Sequence, residues 1–358
     1  MPTPQEILEQ LKRVAYPGLS RDIVAFGFVK DIEVGGKGVT ITLAPTTDNQ
    51  EVIGEIRQRV ATTIQAMGVE MVEIVVEPPP APKAPLAAAR PKAKVGNVKR
   101  IVAVASGKGG VGKSTVAVNL ALALRQLGRE VGLLDADVYG PSVPIMLGLS
   151  ERPRADEEKR IEPIERHGLR AISMGLFVEP AKPIIWRGPM ITKLLVEFVR
   201  NVLWGDLDYL LIDMPPGTGD AQLTICQQVP LSGGVIVTTP QEVALLDVKR
   251  GVTMFREVNV PVLGVVENMS VHVCRKCGSS HELFGSGGGQ QMARRFDIPF
   301  LGALPLVREV REGGDRGVPI VASDPEHPAS RVFLDIARRV EAELERLDGT
   351  PARAGVLQ

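Results

Sequence analysis

Apolar residues recur at helical spacing between Gln5 and Ala15, at Ile7, Leu8, Leu11 and Val14, which predicts an amphipathic first helix. From Ile23 to Val34 the pattern changes to alternation. Gly35-Gly36-Lys37-Gly38 follows, and Val39-Thr40-Ile41-Thr42-Leu43 alternates again. Two alternating runs around a glycine-rich turn predict a β-hairpin. Helical spacing returns over Val52–Met67, and Val69–Glu77 reads as a closing strand. The order α-β-β-α-β predicts a small α+β domain over residues 1–78.

A different pattern begins at Lys99. Apolar runs read as strands at Arg100–Ala105, Glu130–Leu134, Leu169–Ser173, Tyr209–Ile212, Gly234–Thr238, Val262–Val266 and Pro299–Leu304. Helical segments lie between them, among them Val116–Leu127, Pro189–Leu203, Val243–Val258 and Gly288–Phe296. Continuous apolar strands alternating with helices imply an α/β fold, with a mostly parallel sheet covered by helices on both faces. Ser330–Leu347 carries Val332, Phe333, Ile336, Val340 and Leu344 on one face, so it is expected to dock on this domain, residues 99–350. Between the two domains, residues 79–98 form a linker. Pro78–Val95 holds six prolines and several alanines. Such a stretch cannot bury a core and spans on the order of 50 Å if extended.

Composition narrows the function classes. The chain has 358 residues and a formal net charge of +0, so no global field draws it to nucleic acid or anionic lipid. Aromatics are only 4%, which argues against a stacking platform for single strands. No apolar run reaches about 18 residues, the length of a membrane span. Met1–Glu9 lacks the basic segment and apolar core of a secretory signal. Three cysteines make no disulfide framework, and a reducing cytoplasmic location is expected. Neither a nucleic acid nor a membrane is expected as a partner.

Ser106-Gly107-Lys108-Gly109-Gly110-Val111-Gly112-Lys113-Ser114-Thr115 lies between a predicted strand and a predicted helix. Gly107 to Ser114 fits G-x-x-x-x-G-K-[ST], a phosphate-binding loop in its required context. Backbone N–H groups freed by the glycines turn toward a polyphosphate, and the helix start adds its dipole. Lys113 can reach the β- and γ-phosphates, and the Ser114 hydroxyl can bind Mg²⁺. A second lysine, Lys108, exceeds what one triphosphate needs. Downstream, Tyr209-Leu210-Leu211-Ile212-Asp213 is an apolar strand ending in a carboxylate, placed to hold Mg²⁺ through water. Asp137 is placed to orient an attacking water or a magnesium-bound water, with Asp135 as the structural alternative. Asp213 to Asp220 mixes prolines with glycines and reads as a nucleotide switch. Asn268, just past a strand, offers either an adenine contact or an Asx-type cap. No other catalytic array stands out, so the inferred reaction is ATP hydrolysis with water as nucleophile.

Cys274-Arg275-Lys276-Cys277-Gly278 brings two sulfurs to one point. This knuckle suits zinc or an iron–sulfur cluster. Cys226 sits in the helix-like segment Ala221–Gln228 and reads as a small buried hydrophobe. One chain then supplies two sulfurs where a [4Fe–4S] cluster takes four. A twofold dimer would supply four. The rival is a zinc site in one chain that adds His272 and His281. By chemistry alone both stand.

The sequence resembles the Mrp-type iron–sulfur cluster carrier ATPases of the deviant-Walker P-loop NTPases. The resemblance rests on SGKGGVGKST (106–115), DADVYGPS (135–142), WRGPM (186–190), DYLLIDMPPGTGDAQLT (208–224), VVENMS (265–270) and CRKCG (274–278). It implies a P-loop ATPase and a homodimer in which Lys108 reaches the partner's nucleotide and Asn268 contacts adenine. It implies that Cys274 and Cys277 of two subunits bridge a [4Fe–4S] cluster, received from an assembly scaffold and passed to apo client proteins. It favours the cluster over zinc. DADVYGPS and MPPGTGD set this chain apart from the septum-positioning and plasmid-partition ATPases, which act on membrane or DNA and are the alternative reading, beside a zinc-stabilised adaptor. The first 78 residues resemble a domain linked to iron–sulfur assembly. Tyr16-Pro17 and Thr46-Thr47-Asp48-Asn49 depart from its usual pattern, so a docking or regulatory role is expected there.

Overall fold

The structure is a computed structural model describing residues 2–14, 22–24, 28–35, 38–44, 50–69, 71–76, 95–138, 140–177, 188–217, 219–274 and 276–349. Most of the linker, Tyr16-Pro17, Thr46–Asn49, Trp186-Arg187 and the tail Thr350–Gln358 lie outside the described residues. The chain divides into two compact units, Met1–Arg90 and Pro91–Gln358.

In the first unit, helix α1 (Pro4–Leu11) starts at a capping box. Thr3 N–H donates to Glu6 Oε2 (2.8 Å), and Glu6 N–H donates to Thr3 Oγ1 (3.3 Å), so two N–H groups orphaned at the helix start are satisfied. Strands β1 (Val29–Gly35) and β2 (Gly38–Leu43) pair antiparallel, with Gly35 opposite Gly38; Gly36 and Lys37 lie outside the described residues. After helix α2 (Gln50–Gln65), β3 (Val72–Val76) joins β2 in parallel. Ile7, Leu11, Ile41, Leu43, Ile56, Val60 and Ile64 close one core between the helices and one sheet face. The predicted order is the observed one. The first helix is shorter than predicted because Arg13 and Val14 N–H close tight turns on Gln10 and Leu11.

The second unit runs β4 (Asn97–Ala105), α3 (Lys113–Gln126), β5 (Val131–Asp135), α4 (Val143–Leu147), β6 (Ile164–Arg166), β7 (Leu169–Ser173), α5 (Gly188–Asn201), β8 (Asp206–Asp213), α6 (Asp220–Gln228), β9 (Gly233–Thr238), α7 (Glu242–Glu257), β10 (Val262–Glu267), β11 (His272–Val273), β12 (Ser280–His281), α8 (Gly288–Phe296), β13 (Phe300–Ala303), α9 (Arg308–Asp315), α10 (Ile320–Ser323) and α11 (Pro328–Gly349). Eight strands form one sheet in the order β13-β10-β9-β4-β8-β5-β7-β6, parallel except that β6 runs against β7. The central strands are buried along their length, as a sheet covered on both faces requires. Val116, Leu120 and Leu124 of α3 share one core with Phe333, Ile336 and Val340 of α11. Phe198, Ile225, Val252, Phe255 and Met292 fill the other, against the opposite face. Helix α11 docks as its apolar stripe predicts. It is also tied by Arg129 Nε to Glu341 Oε1 (2.7 Å) and by Tyr209 Oη–H donating to the same oxygen (3.2 Å).

β4 lies between β8 and β9. The chain leaves it toward β5 on one side and reaches β9 on the other, so a crevice opens beyond its C-terminal end. Open α/β sheets bind ligands at such a switch point.

Candidate functional site

The loop that follows β4 fills that crevice. Gly110 and Gly112 take positive φ values of 81° and 79°, which L side chains rarely adopt, so the turn into α3 needs glycine at both. Gly107 is fixed by packing instead: a Cβ there would lie 2.2 Å from Cβ of Asp247 on α7. Ser106 Oγ donates to Lys108 O (2.8 Å) and braces the entry. Thr115, in the first turn of α3, faces the cleft beside the loop.

The two lysines are used differently. Lys113 is 6% exposed and forms an ion pair with Asp213, which is fully buried at the end of β8. Its ammonium also lies 3.3 Å from Ser114 Oγ. Lys108 is half-buried, and its ammonium reaches Gln241 Oε1 at 3.5 Å, ahead of α7.

Three aspartates surround Lys113 at the strand ends. Burial pushes the Asp213 carboxyl above its ordinary range, against the pull of Lys113 and Ser114. Asp135 is driven up to about 7 by burial and by Asp213. Its oxygens accept from Ser173 Oγ (2.8 Å), Asp137 N–H (3.1 Å) and Val143 N–H (3.3 Å), so it organises the loop after β5. Asp137 is also buried and accepts from Gly140 N–H (3.1 Å). Asp213 Oδ2 is buried and has no hydrogen-bond partner. The orphaned Asp213 oxygen beside the Ser114 hydroxyl is a pair of oxygen donors that fits Mg²⁺, a hard cation that usually keeps several waters.

The segment after β8 is held to β4 and its loop at two points. Met214 N–H donates to Val104 O (3.0 Å) and Gly217 N–H to Ser106 O (3.1 Å). Gln222 Nε2 donates to Pro215 O, while its Oε1 is buried with no partner. Sequence reasoning missed Gln222; nothing in an isolated helical glutamine marks it as buried. Thr218 lies outside the described residues.

Asn268 sits behind the loop. Its N–H donates to Thr238 O (2.7 Å), and Nδ2 donates to Val111 O (2.9 Å). Beside it opens a cleft of about 400 Å³, with Ile145, Met146, Met269, Leu306, Val307 and Val310 as apolar walls and Thr115, Ser142, Asn268, Arg311 and Asp315 as its polar side chains. Its apolar walls and few polar groups suit a nucleoside next to a phosphate loop. The walls come from four separate segments, so sequence motifs did not reveal them.

The chain runs from β10 through Asn268 into the cysteine hairpin. β11 and β12 pair His272 with His281 and Val273 with Ser280. Cys274 N–H donates to Ser279 O (2.9 Å), and Gly278 N–H to Cys274 O (2.8 Å). Cys277 Sγ lies 2.9 Å from Ser279 Oγ, which lies 2.9 Å from His281 Nε2. Ser279 above all holds the Cys277 thiol below its ordinary range. His272 Nδ1 is 3.0 Å from Leu306 O, in the wall of the nucleoside cleft. Glu267 secures the far end of the excursion by accepting from Gly287 N–H (3.0 Å) and Gly289 N–H (2.6 Å). Among the described residues, no three His, Cys, Asp or Glu side chains gather into a group that could hold a metal ion. The zinc arrangement with both histidines is therefore not assembled. Cys226 is fully buried, as expected.

Residues 97–341 match the NUBPL iron-transfer P-loop NTPase family. The chain belongs to this family. Residues 4–76 match the iron–sulfur cluster assembly protein family. An iron–sulfur cluster carrier protein of Synechocystis is 45% identical over 96% of this chain and 98% of its own. One from Aquifex aeolicus is 44% identical over 95% and 98%. A nucleotide-binding protein from Archaeoglobus fulgidus, solved in complex with ADP, is 38% identical with a TM-score of 0.58, over 66% of this chain and 93% of its own. The cell division ATPase MinD of Pyrococcus furiosus shares the fold at 22% identity, with a TM-score of 0.54, over 68% and 99%. Among the described residues, no helix is long and apolar enough to cross a membrane.

Proposed function

We propose that the protein is an ATP-hydrolysing iron–sulfur cluster carrier, working in the cytoplasm as a homodimer. It receives a [4Fe–4S] cluster from an assembly scaffold and passes it to apo-proteins. The observation that carries this reading is the pairing, within one unit, of a complete phosphate loop with a hairpin offering only two thiols. Two sulfurs are half of what such a cluster takes, and a second copy related by a twofold axis supplies the rest. The cluster is cargo, held by Cys274 and Cys277 of both subunits.

In the nucleotide site, the loop amides from Gly107 to Thr115 cradle the phosphates, and Lys113 leaves Asp213 for the β- and γ-oxygens. Ser114 and Asp213 would hold Mg²⁺, which when bound would neutralise phosphate charge. Asp137 orients the attacking water. Asn268 meets the adenine edge at the mouth of the cleft. Lys108, half-buried and on a different partner from Lys113, crosses to the nucleotide of the second subunit. Nucleotide state acts on cargo only through different affinities for two dimer arrangements.

Anoxic reconstitution tests the reading. Iron and sulfide assays should give about four of each per two chains, the content of one shared four-iron cluster, on a particle of dimeric mass by light scattering. Stoichiometric zinc without cluster uptake, or a loaded single-subunit particle, overturns it.

A further inference from the structure

The two cysteines do not sit in equivalent surroundings. Cys274 is held through its backbone, its N–H on Ser279 O (2.9 Å) and its carbonyl under Gly278 N–H (2.8 Å). Cys277 is held at its sulfur, in a line that runs Cys277 Sγ, Ser279 Oγ, His281 Nε2 with 2.9 Å at each step. All three side chains are exposed, so they add nothing to the core. Their alignment follows from the hairpin: its pairing of His272 with His281 fixes β12, and Ser279, one residue ahead of that strand, accepts at its carbonyl from Cys274 N–H.

We propose that Ser279, oriented by His281, is a positioning residue that donates a hydrogen bond to the Cys277 sulfur when cargo is bound. It thereby sets the electronic character of that ligand. This rests on the carrier reading above. A sulfur bound to iron carries no proton, so in the Cys277–Ser279 pair only the hydroxyl can donate. The serine oxygen then accepts from His281, which fixes that ring with its proton on Nε2. Hydrogen bonds to cluster sulfurs are one of the protein's means of setting reduction potential, and partners beyond the ligands orient them. A donor at Cys277 favours the reduced cluster, whose charge is more negative.

The test compares the full-length protein with Ser279→Ala, Ser279→Thr and His281→Ala. Each is reconstituted anoxically, assayed for iron and sulfide, and titrated with reductant by visible absorption. Ser279→Ala should move the potential to more negative values at equal iron and sulfide content. Ser279→Thr should restore it, and His281→Ala should shift it in the same direction by less. A second measurement needs no cargo: iodoacetamide alkylation of each cysteine, read by peptide mass. Ser279→Ala should slow Cys277 by about threefold to tenfold, the worth of one ordinary hydrogen bond. An unaltered potential in a fully loaded Ser279→Ala protein overturns the proposal. If no protein takes up a cluster, the carrier reading has failed instead. Alkylation then decides the contact alone, and an unchanged Cys277 rate overturns it.

Discussion

Around the phosphate loop, Lys113 at the start of α3, Asp135 and Asp213 at strand ends, and Asp137 just past β5 are all buried. Around the cysteines, two strands of two residues carry exposed side chains, with Val273, Leu283 and Phe284 also open to solvent. In the first region one chain buries a lysine and three aspartates together, with Lys113 held by Asp213. The second offers two thiols on a short stem, and on the function proposed above a second copy completes it. The buried charges thus belong to the fold of one chain, whereas cargo binding, on that proposal, is left to assembly.

The largest effect should come from the buried side. Lys113→Ala should lower phosphate release by at least about 100-fold, the scale of losing a group that stabilises transition-state charge. Full turnover in that variant would remove Lys113 from the chemistry. On the exposed side, Cys274→Ala should bring iron content after reconstitution close to zero. It should leave folding stability within about 0.5 kcal/mol, as expected for a surface substitution. A large fall in melting temperature would mean that the hairpin supports the fold and that the contrast drawn here is wrong.

How much of this contrast is legible in the sequence follows from length and locality. Leu169–Ser173 and Gly288–Phe296 were predicted with their observed bounds, because long apolar or amphipathic runs carry their own period. β6, β11 and β12 were missed, since two or three residues cannot display one. The phosphate loop is contiguous and could be read directly. The nucleoside cleft could not, because Ile145, Met269, Leu306 and Val310 meet only after folding. Gly107 was assigned to phosphate binding, yet its immediate need is the close approach of Asp247. His272 and His281 looked like ligands by spacing, but their ring nitrogens face Leu306 O and Ser279 Oγ.

The buried carboxylates make a pH prediction of intermediate size. Asp135 rises from an ordinary 3.8 to about 7 on folding. In that window the native protein binds more protons than the unfolded chain, so stability falls as pH rises from about 4 to about 7 and then levels. Asp135→Asn should remove this slope, worth a few kcal/mol across the window, in denaturant melts of the nucleotide-free protein. An identical slope in both proteins would assign the titration elsewhere. The smallest effect concerns Asn268. Asn268→Ala should raise the KM for ATP about twofold to tenfold, the worth of one neutral hydrogen bond. An unchanged KM would confine Asn268 to bracing Val111.

Asn268 and Cys274 are separated by one short run of backbone, stitched to residues 304–306 by Ser270, Leu306 and His272. Glu267 grips the returning chain at Gly287 and Gly289. Asn268 and Cys274 therefore ride on one braced segment, and a shift at either end of it is carried to the other.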